Sequence, residues 1–221
     1  MSVARRNPQL FDLYQRYLDG QDTGDFIELV GKVYNQGALQ RLVENDVPQV
    51  RRAAVLALGF LGDYAANHTL GRSLQDEDRT VRMLSETALR NVWQRDGGAD
   101  DRQRLAAIIR LNASQQYREA IDRAGELIKA SPWFAEAWNQ RAVAHYALLH
   151  FAESIRDCHQ ALEVNPYHFA AAAGMGHAYL KLGNKFSALE SFRRALRLNP
   201  DLEAVRAQVA RLSRLLEDRG A

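Results

Sequence analysis

Few residues in this chain could do chemistry. There is one cysteine, Cys158, and there are six histidines. A thiolate becomes a nucleophile when a base or cation lowers its pKa, and no base is placed beside Cys158 by sequence, so it reads as a buried packing residue. Imidazoles ligate metals when their spacing puts them on one face. His145 and His150 are five residues apart, about 140° round a helix, so they share no face. His159, His168 and His177 are expected on different helices. All read as ordinary core or surface histidines, with no metal site. The acidic run Asp76-Glu77-Asp78 reads as a helix start, where carboxylates satisfy free amides and suit the dipole. Arg193, Arg194 and Arg197 are interrupted by apolar residues and read as a solvated helix face. Gly174-Met175-Gly176 follows no strand pattern, so a dinucleotide site fails its context. No phosphate loop, nucleophile elbow or metalloprotease helix motif is present. The chain reads as non-enzymatic, with no cofactor.

The totals narrow the classes further. A length of 221 residues with 47% hydrophobic content allows one or two domains with a real core. Net charge is +2; residues 1–100 carry 12 basic against 14 acidic residues, and the remainder 17 against 13. Neither half has the positive field that phosphate-backbone binding needs, so no nucleic-acid partner is expected. A single cysteine permits no internal disulfide. Residues 1–8 lack the apolar core of a signal peptide, and no run reaches the roughly 20 apolar residues of a membrane span. A cytoplasmic protein without membrane attachment is expected, with a monomer favoured.

The elements that carry these residues recur at fixed spacing. Of five prolines, Pro132, Pro166 and Pro200 stand 34 apart, each just after a helical pattern. Proline has no amide proton and disfavours helix in the residue before it, so it ends one helix and sets the register of the next. Small residues recur at Ala120, Ser154 and Ala188, and Leu127, Ala161 and Ala195 share another repeat position. Tyr117, Phe151, Phe186 and Phe192 fill the space between. This pattern resembles the tetratricopeptide repeat over residues 101–200. The third unit matches best, with Gly176, Tyr179, Ala188, Phe192, Ala195 and Pro200 in family positions. The second has Trp138, Ala142 and Ala161 in place but carries Arg141 where leucine is usual, and His145 and Cys158 where aromatics are usual. The first is the most degenerate, with Ile108 at a small position. Residues 201–218 read as a closing helix, with Leu202, Val205, Val209, Leu212, Leu215 and Leu216 on one face.

The N-terminal half repeats with a different period. An offset of 31 aligns Leu39 with Leu70, Arg41 with Arg72, Val50 with Val81, Arg51 with Arg82, Ala57 with Ala88, and Leu58 with Leu89. These stretches resemble compact HEAT-like repeats, and the resemblance implies a polar ladder from the aligned arginines to acids at Asp46 and Glu77. Asn7-Pro8 and Asp22 are expected to start two capping helices. The predicted fold is therefore all-α: a right-handed helical-repeat superhelix (α-solenoid) of antiparallel helix pairs. Residues 1–97 form the HEAT-like region. Residues 98–221 hold tetratricopeptide units at 101–134, 135–168 and 169–202 plus the closing helix. Asp96-Gly97-Gly98-Ala99-Asp100 reads as a hinge or a tight turn, and a continuous stack is favoured.

The tetratricopeptide resemblance implies that the first helix of each unit lines a concave face. On it the candidate peptide-binding residues are Arg102, Asn112, Glu136, Asn139, Tyr146, His177 and Lys181, on a floor including Leu105, Ile109, Val143, Ala170, Ala173 and Leu180. Such a mixture suits an extended or helical peptide, so the expected partner is a protein or peptide and the expected role an adaptor or scaffold. The carboxylate clamp that binds chaperone tails is not implied, because its positions hold Leu105, Ile109, Ala170 and Gly174. Alternatives are a bilin-lyase-like HEAT protein, an RNA-binding helical repeat and a self-assembling scaffold. The register itself is testable. Ala195→Trp should overpack the helix pair and cost about 1–3 kcal/mol or more; an unchanged melting temperature would refute the register.

Overall fold

The protein is described over residues 8–217 from a computed structural model. Asn7 and Asp218, expected at the two outermost helix ends, lie outside the described residues. The elements run α1 Gln9–Gly20, α2 Thr23–Val33, α3 Gln36–Leu42, α4 Pro48–Leu61, a 3-10 turn Tyr64–Ala66, α5 Asn67–Ser73 and α6 Arg79–Gln94. They continue with α7 Ala99–Ala113, α8 Tyr117–Ala130, α9 Ala135–Ala147, α10 Phe151–Val164, α11 Phe169–Lys181, α12 Lys185–Leu198 and α13 Glu203–Glu217. Among the described residues there is no strand, so the fold is an all-α helical repeat. It divides into two compact units, Met1–Val92 and Trp93–Ala221.

In the first unit the 31-residue period is realised helix by helix: α3 and α5 begin 31 residues apart, as do α4 and α6. The aligned apolar residues Leu39, Leu70, Val50, Val81, Ala57, Ala88, Leu58 and Leu89 are all buried. Gly59 lets α4 approach α6, since a Cβ there would lie 3.1 Å from that of Ala88. Helices α1 and α2 pack on α4 and on each other. Asp22 starts α2 by accepting a hydrogen bond from the Asp25 amide at 2.9 Å.

The polar ladder exists, but with a different rung from the expected one. Arg51 donates to both carboxylate oxygens of Asp76, at 2.8 and 2.9 Å, with Glu77 a lesser partner at 3.2 Å. Sequence alignment set Asp46 and Glu77 beside the arginines; Glu77 does meet Arg51, as the lesser partner, and both positions also offer their backbone carbonyls. Arg51 donates to the carbonyls of Asn45 and Asp46, and Arg82 to those of Asp76 and Glu77. The arginine of each repeat thus ties down its own preceding turn, which places the residue equivalent to Asn45 opposite Arg51. The acidic run is a helix start: Asp78 accepts from the Val81 amide at 2.9 Å and pairs with Arg52. The hydrogen bonds from Arg52, helped by the Val81 amide, outweigh burial and pull the Asp78 carboxyl down to about 2.

In the second unit three helix pairs, α7–α8, α9–α10 and α11–α12, share one turn. Ser114, Leu148 and Leu182 donate to carbonyls four residues back. Gln116, His150 and Asn184 donate five residues back, to Leu111, His145 and Tyr179. Between them Gln115, Leu149 and Gly183 take the left-handed conformation, with φ of 60°, 65° and 77°. Helix α13 packs on α12 and buries Val205 and Leu212.

Only the third pair uses glycine at its left-handed turn. A non-glycine side chain costs about 1–2 kcal/mol in that region, while glycine's extra chain entropy gives back somewhat less. Leu149→Gly is therefore expected to stabilise the chain by about 0.5 kcal/mol. A lower melting temperature for this variant would show that Leu149 carries no such strain.

Candidate functional site

The first helices of the three pairs, α7, α9 and α11, hold the seven candidate residues, and the structure does not gather them into one cluster. Glu136 is buried near the start of α9. Its Oε1 accepts from Asn139 Nδ2 at 3.2 Å and Gln140 Nε2 at 2.7 Å, and its Oε2 lies 3.0 Å from His168 Nε2. His168 is the N-cap of α11, and its Nδ1 accepts the Ala171 amide proton at 3.1 Å. That bond fixes the tautomer: Nε2 carries the proton and donates it to Glu136. Burial pushes the Glu136 carboxyl up, but the donors His168, Gln140 and Asn139 together hold it below its ordinary value. Asn112 on α7 joins the chain by donating to the backbone and side-chain oxygens of Gln140, at 3.0 and 2.9 Å. Trp93 covers the end of it, stacked on His168 with ring centroids 4.2 Å apart and tilted against Phe169 at 5.1 Å.

Glu136, Asn139 and Asn112 are thus joined through one hydrogen-bond network, and Glu136 and Asn139 within it are buried. Arg102 is exposed and leans on the turn before α7, donating to the Gly97 carbonyl at 3.3 Å. Tyr146, His177 and Lys181 lie towards the far ends of α9 and α11. Tyr146 meets Phe151 edge-on at 5.4 Å, and His177 meets Phe192 likewise at 4.9 Å. Burial, with the Lys181 charge one turn away, lowers the His177 pKa and keeps its ring neutral near pH 7. Lys181 is exposed, as is Ala147, and Val143 is 45% exposed.

Residues that depart from the tetratricopeptide pattern form a second set. Arg141 donates to both oxygens of Asp157, at 2.8 and 2.7 Å, and its guanidinium sits 4.9 Å from the centre of the Trp138 ring. His145 Nε2 stands 3.8 Å from Asp157. Burial, with Arg141 and His150 nearby, lowers the His145 pKa against the pull of Asp157. His145 and His150 do come together, with ring centroids 5.8 Å apart. The helical-wheel separation fails because α9 ends at Ala147 and the following turn folds His150 back. His168 and His177 likewise belong to one helix, the first as its cap. Cys158 is buried, and that burial raises its thiol to about 12, which makes it a poor nucleophile. Among the described residues no three His, Cys, Asp or Glu side chains converge on a point that could hold a metal ion.

Sequence reasoning missed Gln140, His168 and Asp157. Asp157 had one signal: an arginine and a histidine at normally apolar positions ask for a buried anion. His168 had none, because its partner lies 32 residues away.

The buried carboxylate makes a prediction. His168→Ala removes one donor and should cost about 3 kcal/mol, because the remaining charge is left under-solvated. Adding Glu136→Gln should recover part of that loss in urea unfolding. A His168→Ala chain as stable as the parent would show that the pair carries no weight.

HEAT repeats match residues 35–131, and the tetratricopeptide repeat matches residues 135–168 and 169–202. A TPR repeat-containing protein of Rhizobium etli is 26% identical over 64% of this chain and 69% of its own length. A small glutamine-rich tetratricopeptide repeat-containing protein of Dictyostelium discoideum is 33% identical over 45% of this chain and 30% of its own. Among solved structures, the first TPR of Spaghetti (RPAP3), bound to the HSP90 peptide SRMEEVD, covers 53% of this chain and 93% of its own, at 24% identity and a TM-score of 0.51. The TPR2AB domain of yeast Sti1 in complex with an HSP90 peptide covers 93% of this chain and 97% of its own, at 15% identity and a TM-score of 0.50. At these identities the structural likeness speaks for the fold alone. Together with the two periods seen in the helices, the matches identify the chain as a composite of HEAT repeats and tetratricopeptide repeats.

Proposed function

We propose that this chain is a non-enzymatic adaptor that holds a segment of another protein along the first helices of its tetratricopeptide pairs. The observation that carries this reading is the exposure of apolar and amphipathic side chains on the later turns of α9 and α11. Val143 and Ala147 are exposed there, Tyr146 and Leu180 half-buried, and Lys181 stands free at the edge. Apolar side chains grouped on neighbouring helices are what a docked segment would cover. The buried starts of α9 and α11, locked by Glu136 and His168, hold these turns in place and leave the candidate surface to Val143, Tyr146, His177 and Lys181. The bound HSP90 peptide in the RPAP3 structure supports a short segment as the class of ligand. The chaperone-tail sequence itself is not the ligand we favour, because Leu105, Ile109, Ala170 and Gly174 supply none of the polar groups of a carboxylate clamp. The raised thiol of Cys158 argues against a thiolate nucleophile.

The test is affinity capture from native extract with the intact chain and with the double variant Val143→Asp, Tyr146→Ala. Partners retained by the parent should be lost from the variant while its circular dichroism is unchanged. An equal set of captured proteins would reject this surface.

A further inference from the structure

The exposed apolar side chains of the second unit are concentrated near the ends of its first helices. Val143 at 45%, Leu149 at 71%, Leu182 at 53% and Phe186 at 69% exposure lie on α9, on the turns after α9 and α11, and on the first turn of α12; Phe186 thus faces outward and does not fill the space between helices as its repeat position predicts. Those turns repeat with the same hydrogen bonds, in which Leu182 is the counterpart of Leu148 and Leu149 that of Gly183, so Leu149 and Leu182 lie one position apart on corresponding turns of successive pairs, and these turns define one rim.

The charge around this rim is one-sided. Helix α11 contains no acidic residue, and the one acid of α9, Glu136, is buried in its network. Glu153 on α10 is tied to Arg156 at 3.2 Å, and Glu190 on α12 to Arg193 at 2.9 Å. Lys181 and Lys185 flank Leu182 and Phe186, and among the described residues neither has an ion pair. His177 adds no charge near pH 7.

We infer that this rim, together with the open end of the α9–α11 face, binds an acidic amphipathic segment: one whose large apolar side chains cover Val143, Leu149, Leu182 and Phe186 and whose carboxylates meet Lys181 and Lys185. The inference rests on the reading of the first-helix face as the binding surface and names the chemistry of its partner. Apolar burial supplies the affinity, and the two lysines choose the sign of the partner and speed its arrival. A basic segment would set like charges together, and a purely polar acidic one would leave the apolar rim in water.

A display library of random peptides, selected on the intact chain, tests this. Enriched peptides are synthesised and titrated by fluorescence anisotropy against the parent and three variants: Lys181→Glu with Lys185→Glu, Leu149→Asp with Phe186→Asp, and Val143→Asp. Circular dichroism confirms that each variant is folded. The expected result is peptides rich in both acidic and large apolar residues, weakened about tenfold by the charge reversal and by high salt, and weakened also by each aspartate variant. Peptides that are neutral or basic, or indifferent to the charge reversal, yet lost with Val143→Asp, would overturn the inference and leave the binding surface standing. Peptides indifferent to Val143→Asp and to Leu149→Asp with Phe186→Asp would overturn both. Failure to enrich any peptide would also count against the inference.

Discussion

The close approach of paired helices governs the rest of the second unit. Gly176 on α11 faces the Phe192 ring of α12 so tightly that a Cβ would lie 2.6 Å from it. Ala142 and Ile108 stand at the same repeat position in the earlier pairs, both buried. Interiors packed at this density allow a helix pair one register and no other. Once the register is fixed, every remaining position is assigned to core, to neighbour or to solvent. The surface that holds Val143, Tyr146 and Lys181 is thus a by-product of how α9 and α11 seat against α10 and α12.

This explains which features were legible in the sequence. Helix starts were, because Asp22 and the 34-residue prolines act on the backbone beside them. Core positions were, because burial follows the helical period; Leu39, Val81, Ala161 and Phe192 are all buried. Pairings between distant side chains were not. The main ladder rung fell on Asp76, with the aligned acid Glu77 a lesser partner, since one residue of displacement in a turn is invisible to an alignment. Glu136 looked like a surface ligand by its repeat position, and only the arrival of His168 and the cover of Trp93 reveal it as interior. The His145–His150 contact was hidden for the opposite reason: periodicity was extended past the end of the helix.

Both units hold internal carboxylates with arginine, and the second adds a carboxylate held in another way. In the first, Arg51 and Arg52 meet Asp76 and Asp78 as opposite charges, largely withdrawn from solvent, so that each charge is answered mainly by its partner. In the second, Asp157 is likewise paired with Arg141, while Glu136 is held by directed hydrogen bonds from His168, Gln140 and Asn139. An ion pair tolerates some sliding. A carboxylate satisfied by three directed hydrogen bonds does not, so the start of α9 is specified more sharply than its end. The stiff end of the helix carries the network, and the end left free for contact is the one with exposed apolar side chains.

The stack of Trp93 on His168 has an optical consequence. The chain has three tryptophans: Trp133 is 48% exposed, Trp138 is partly covered by Arg141, and Trp93 alone is enclosed. An indole lying flat on an imidazole at 4.2 Å is shielded from water and open to quenching by its neighbour. The three chromophores therefore sample three surroundings, and Trp93 is the one whose emission reads the integrity of the Glu136 network. The molecule carries its own fluorophore at the point where its most constrained helix begins, so loosening of that point can be followed by light without attaching a label.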